Sequence, residues 1–123
     1  MAINYKCILV YGLTDDELDK IQKRRLKFKV VNEKNAGAKI NDLLVNSNIE
    51  APCNELPEDE KAIIFNGYND KELRETIKFI RRFIEGGVLA VVTEMSSTWN
   101  FNYLLEHLIE EREAYKAQQR GKW

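Results

Sequence analysis

The sequence predicts an α/β fold: a three-layer sandwich of four parallel strands in the order 2-1-3-4, with helices on both faces. Two observations carry this prediction. Short apolar runs alternate along the chain with segments of helical periodicity, the pattern of a sheet covered by helices. In addition, the strand–glycine–helix passage from Ala62 to Leu73 repeats the passage from Ile8 to Leu18 at an offset of 55 residues. At that offset Gly12 meets Gly67, Thr14 meets Asn69, Asp15 meets Asp70, Glu17 meets Glu72 and Leu18 meets Leu73.

Strand one is read over Ile3 to Tyr11. Helix one starts at a Thr14 cap, with Glu17 placed to cap back, and turns Leu18 and Ile21 inward. Strand two, Leu26 to Asn32, alternates Leu26, Phe28 and Val30 with Lys27 and Lys29, which suits an edge strand with one wet face. The loop Asn35-Ala36-Gly37 leads to a short helix with Ile40, Leu43 and Leu44 inward. Asn46 to Asp59 is a polar join holding Pro52 and Pro57. Strand three, Ala62 to Asn66, is continuously apolar through Phe65 and therefore buried on both faces. Helix three, Asp70 to Ile84, spaces Leu73, Ile77, Ile80 and Ile84 for one buried stripe and ends at Gly86-Gly87. Strand four is Val88 to Thr93. Helix four starts near Trp99, buries Phe101, Leu104, Leu105, Leu108 and Ile109, and leaves a fraying tail from Lys116 to Trp123.

The repeat continues at an offset of 61, where Val30-Val31 meets Val91-Val92 and Leu43-Leu44 meets Leu104-Leu105. The expected architecture is one domain over 1–123, a pseudo-two-fold duplication of a β-α-β-α unit with halves at about 1–50 and 58–116. With right-handed crossovers, strands one and three lie parallel in the centre, helices one and four share one face, and helices two and three share the other.

Composition narrows the classes of function. The chain has 123 residues, of which 32% are charged, with a net charge of -1. A dedicated nucleic-acid binder is usually basic overall, so nucleic acid is not the expected partner. The apolar run Cys7 to Tyr11 is too short for a membrane span or a signal-peptide core, and the expected location is the cytoplasm. Two cysteines, Cys7 in a strand and Cys53 in a loop, make no disulfide framework. His107 has Glu106, Glu110 and Glu111 near it but no second ligand motif, so neither a metal nor a cofactor is expected. No nucleophile elbow, phosphate loop or dinucleotide fingerprint occurs, and no catalytic residue is assigned.

In the parallel arrangement strands one and three leave toward opposite faces, creating a switch point where open α/β sheets bind ligands. The loops at Gly12 and Thr14 and at Gly67, Tyr68 and Asn69 would border it, with Thr93, Ser96, Ser97 and Trp99 arriving from strand four. Tyr68 and Trp99 offer apolar faces with a polar handle, and two helix N-termini offer free N–H groups to an anion. The plainer account stands beside it. Glycines permit the tight turns, the caps start helices, and Asp15 and Asp70 would repel a phosphate while complementing the helix dipoles. A basic run from Lys20 to Lys29 and an acidic run from Glu55 to Glu60 give the molecule regions of opposite sign.

The stretch from Val91 to Leu108, VVTEMSSTWNFNYLLEHL, together with Phe65-Asn66-Gly67-Tyr68, resembles a small bacterial family, 3783, known only as a domain of unknown function. The resemblance covers roughly Lys61 to Arg112 and reaches the first half only through the repeat. It implies the fold and a bacterial cell, and it transfers no catalytic residue. The functional expectation is a non-enzymatic protein-binding or regulatory module, with a protein partner or homodimer, because no nucleophile, metal or cofactor constellation is visible while helix four and the tail carry Tyr115 and Trp123, expected to be exposed. The alternative is a small anionic ligand or nucleotide at the switch point.

Overall fold

The computed structural model describes residues 6–46 and 49–121. The first residues assigned to strand one, and Trp123, lie outside them. The elements follow in the order β1 (Cys7–Tyr11), α1 (Asp15–Lys23), β2 (Phe28–Val31), α2 (Ile40–Val45), β3 (Ala62–Asn66), α3 (Asp70–Ile80), β4 (Val88–Val91), a 3-10 turn (Ser96–Thr98) and α4 (Phe101–Gly121). The four strands form one sheet in the order β2-β1-β3-β4, as the sequence predicts.

The sense of the central pair does not follow the prediction. β2 and β4 run parallel to their neighbours, but β1 and β3 are antiparallel, with Leu9 opposite Ile64. The sheet is therefore mixed. The assignment of helices to faces changes with it. Ile21 of α1 and Ile80 of α3 share one core with Ile8, Val10, Ile63 and Phe65. Residues of α2 and α4, including Leu44, Phe101 and Leu105, share the other with Leu9 and Ile64. The physical reason lies in the join. Its backbone bonds to the turn after β2, where Ala51 accepts from the Gly37 N–H at 2.7 Å and the Cys53 N–H donates to Glu33 at 2.8 Å. It stays at that end of the sheet, the C-terminal end of β1, where the Tyr11 hydroxyl donates to the Pro57 carbonyl at 2.6 Å. β3 therefore begins beside the end of β1 and runs opposite to it.

Several pairings follow the two sequence offsets. Leu9 and Ile64, 55 apart, face each other. Ile8 pairs with Phe28 and Ile63 with Leu89, so the edge strands stand 61 apart. Lys39 and Asn100, also 61 apart, form an antiparallel bridge, with the Ile40 N–H donating to Trp99 and the Phe101 N–H to Ala38, each at 2.9 Å.

Element ends shift for local reasons. α3 stops at Ile80 with Arg81 as its cap, while Ile84 remains fully buried beyond it. In β2, Val31 is buried and Val30 is exposed, so the inward set predicted for this strand holds for Leu26 and Phe28 but not for Val30. α4 begins two residues later than expected and continues through Lys116 to Gly121. Its distal turns are rich in strong helix formers and carry ion pairs from Glu113 to Arg112 and Lys116. No helix among the described residues is long and apolar enough to cross a membrane.

Candidate functional site

The antiparallel centre separates the residues that the sequence groups together. Gly12 and Thr14 follow β1 at one end of the sheet, while Gly67, Tyr68 and Asn69 follow β3 at the other. Thr93, Ser96, Ser97 and Trp99 follow β4 and lie at the Gly67 end. Even there the sheet intervenes, because Tyr68 packs on the α1/α3 side and Trp99 on the α2/α4 side. The nine residues do not line one crevice.

Most of them have structural work to do. Gly12 has φ +78, and a Cβ there would sit 2.0 Å from the Glu60 carbonyl oxygen, so both conformation and space require glycine. Thr14 and Asn69 each close a capping box, with Glu17 and Glu72 respectively. The Thr93 N–H donates to Ser96 Oγ at 2.9 Å and the Ser96 N–H returns to Thr93 Oγ1 at 3.0 Å. Ser97 Oγ donates to the Glu94 carbonyl at 2.7 Å. These hydroxyls brace the turn that feeds α4.

The two capping-box glutamates are each joined to the opposite half of the chain. Glu17 accepts from Lys61 Nζ at 2.6 Å, with side chains 9% and 29% exposed. Glu72 pairs with Lys6, and these side chains are 37% and 46% exposed. Burial pushes the Glu17 carboxyl up, but hydrogen bonds from Lys61 and the Thr14 N–H outweigh it and hold the group below the usual carboxylate range. A third pair clamps α4 to the join: the Arg112 guanidinium meets Glu60 in two hydrogen bonds of 2.9 and 2.6 Å. Those bonds lower the Glu60 carboxyl and raise the guanidinium.

Two surfaces remain as candidates for recognition. The first is a cleft of about 290 Å³ lined by Lys6, Arg25, Leu26, Lys27 and Tyr68. It opens at the N-terminal ends of β1 and β2, beside the Gly67 turn. Lys6 Nζ stands 4.8 Å from the Tyr68 ring centroid, and burial pushes the Tyr68 phenol up to about 12, leaving it a neutral donor at pH 7. Arg25 holds φ +64, a left-handed conformation that costs a non-glycine residue about 1–2 kcal/mol. Alongside, Arg24 lies over Phe79 at 4.8 Å and Lys20 over Phe83 at 5.3 Å.

The second surface lies on α4. Trp99 meets Tyr103 edge-to-face at 5.0 Å and His107 at 5.4 Å, and Tyr103 stacks on His107. Tyr103 is 53% exposed, and Met95 on the preceding turn is 70% exposed. Of these residues the sequence reading singled out only Trp99 for recognition. The i, i+4, i+8 spacing of Trp99, Tyr103 and His107 was the signal available for the ladder. Arg25 and Lys27 belong to the basic run of the sequence, but nothing in it joined them to Lys6 and Tyr68, which two further segments bring to the cleft. Among the described residues, no group of three His, Cys, Asp or Glu side chains could hold a metal ion.

No curated protein and no solved structure matches the chain significantly. Residues 61–115, which hold β3, α3, β4 and α4 as far as Tyr115, match the family model DUF3783, a domain of unknown function.

Proposed function

We propose that the protein is a non-enzymatic binding module whose protein partner docks on the aromatic ladder of α4. One observation carries this reading: Trp99, Tyr103 and His107 pack ring against ring in a stripe whose Tyr103 is nonetheless open to solvent. Rigid amphipathic rings supply contact area at little entropic cost, which is why they dominate the energetics of protein interfaces. The exposed turns of α4 beyond Arg112, with Tyr115 63% exposed, extend the same helix outward. A photo-crosslinking residue at position 103 should trap one specific partner in cells, and Trp99→Ala should abolish the adduct. A probe at position 103 that yields only diffuse, Trp99-independent adducts would overturn the reading.

The cleft beside Tyr68 favours a second reading, a small anionic ligand. Three cations converge there, and one of them, Arg25, is held in a strained backbone. Inorganic phosphate and nucleotides should raise the melting temperature of the wild type but not of Arg25→Ala/Lys27→Ala. An equal rise in both proteins would remove this reading.

We also infer that the chain is a duplicated β-α-β-α unit acting in the cytoplasm as one domain. What supports the duplication is the agreement of the pairings with offsets of 55 and 61, and a family match confined to a single such unit.

A further inference from the structure

The two outer edges of the sheet are protected very differently. On β2, the backbone groups of Lys27, Lys29 and Val31 turn toward β1, and those of Phe28 and Val30 turn outward, as the bond from the Ile8 N–H to Lys27 fixes. That outer edge is blunted. Asn35 Nδ2 donates to the outward Val30 carbonyl at 3.2 Å, and two lysines, Lys27 and Lys29, flank the other outward residue, Phe28. On β4, the Val88 and Val92 N–H groups donate to β3, so Leu89 and Val91 present their N–H and C=O groups outward. No described group bonds to them. The residue 61 positions after Asn35 is Ser96, whose short side chain is spent on Thr93. The strand reads Val-Leu-Ala-Val-Val, with no charge and no proline, and Val91 is 45% exposed.

We propose that β4 is the dimerisation edge, and that its occupant is β4 of a second copy, antiparallel across a two-fold axis. The strand is self-complementary in one register. With Ala90 opposite Ala90 of the second copy, Leu89 faces Val91 and Val91 faces Leu89, both as hydrogen-bonded pairs. The four outward groups on each strand are then satisfied, and the apolar side chains of Leu89 and Val91 cover one another. Antiparallel pairing also sets the turn after β4, which carries Glu94, beside the Gly86 turn that precedes β4 of the second copy. There the Arg81 guanidinium donates to the Gly86 carbonyl at 2.7 Å and is paired with no carboxylate among the described residues. This charge match is what selects a second copy over an unrelated strand. The product is a continuous eight-stranded sheet with β2 at both ends, the edge that already carries its own protection. This inference is independent of the α4 ladder, which lies on a different element.

Sedimentation and disulfide trapping test it together. The wild type should sediment at about twice the 14.4 kDa of the chain. Val91→Lys should sediment as a monomer with an unchanged circular dichroism spectrum. In a Cys53→Ala background, Ala90→Cys should form a covalent dimer at least about tenfold faster than Leu89→Cys. A non-hydrogen-bonded antiparallel pair spaces its Cα atoms about 4.5 Å apart, within disulfide reach, whereas residues two places out of register lie beyond it. A monomeric wild type at high concentration, a dimer that survives Val91→Lys, or cross-linking no faster at position 90 than at 89 would each overturn the proposal.

Discussion

The paired ions Lys61–Glu17 and Lys6–Glu72 provide an internal control, because one chemical perturbation can be made twice in different surroundings. Replacing each lysine by methionine keeps the aliphatic stem and removes the charge. In Lys61→Met the Glu17 carboxylate, 9% exposed, keeps only its cap bond to the Thr14 N–H at 2.8 Å. Stripping the partner from a fully buried carboxylate costs about 3–5 kcal/mol. Lys61 is 29% exposed, so water can enter the vacated position, and the expected cost is nearer 2–3 kcal/mol, roughly half to two-thirds of the buried-pair range. In Lys6→Met both partners were already wet, so water replaces the lost partner and the cost is much smaller. Urea unfolding followed by circular dichroism reads the difference. With a slope of about 1–3 kcal/mol/M, Lys61→Met should lower the midpoint by about 1–2 M and Lys6→Met by less than about 0.5 M. Equal losses from the two variants would refute the assignment of the buried pair as a stability determinant.

Further tests follow from the same geometry. The Glu17 carboxyl is held below its unfolded value, so its contribution is present above the unfolded pKa of about 4.3 and is lost as pH falls through the lower folded value; Glu17→Gln, which keeps an acceptor for the Thr14 N–H, should therefore flatten the loss of stability below pH 5 in acid titrations. Gly12→Ala combines φ +78 with a Cβ 2.0 Å from a backbone oxygen and should cost more than about 3 kcal/mol, whereas Gly86→Ala, with φ +69 and open space around it, should cost only the left-handed penalty of about 1–2 kcal/mol. Arg25→Gly should raise stability by about 0.5–1 kcal/mol by removing the strain at φ +64, measured in the same urea titration. Arg112→Ala should release α4 from Glu60 and raise amide exchange in the helix beyond Leu108, with no matching change in β3.

Much of the fold was legible because local chemistry and burial agree. The runs Ile8–Val10 and Ile63–Phe65 are apolar on both faces, and both are buried on both faces in the centre of the sheet. Thr14 with Glu17 and Asn69 with Glu72 announced two helix starts, and both boxes are closed. The strand order also followed. What failed was the sense of the central pair, and the candidate site failed with it. Strands that are apolar throughout have no wet face to report which helix covers which side, so either central sense satisfies the burial pattern. The offsets do not decide it either. A two-fold axis lying along the strands gives a parallel centre, one normal to the sheet gives an antiparallel centre, and both map Gly12 on Gly67.

Two signals could have separated these alternatives. Helix-to-strand connections in α/β units usually take about 2–6 residues, yet the polar join from Asn46 to Asp59 is far longer. A parallel β3 would start at the end of the sheet where α2 finishes and would need only a short hop. An antiparallel β3 starts at the far end, and at about 3.3 Å per extended residue the join is more than long enough for the crossing. The second signal is charge. Lys6 and Lys61 precede their strands, Glu17 and Glu72 open the following helices, and each like pair is 55 apart. In a parallel sheet the residue before either strand and the first turn after the other lie at opposite ends, and no lysine could reach a glutamate across the repeat. An antiparallel centre sets the start of each strand beside the end of its neighbour, so both bridges form at once. A lysine before the strand and a glutamate after it, repeated at one offset, therefore encode the direction of the joint more directly than any apolar residue in the sheet.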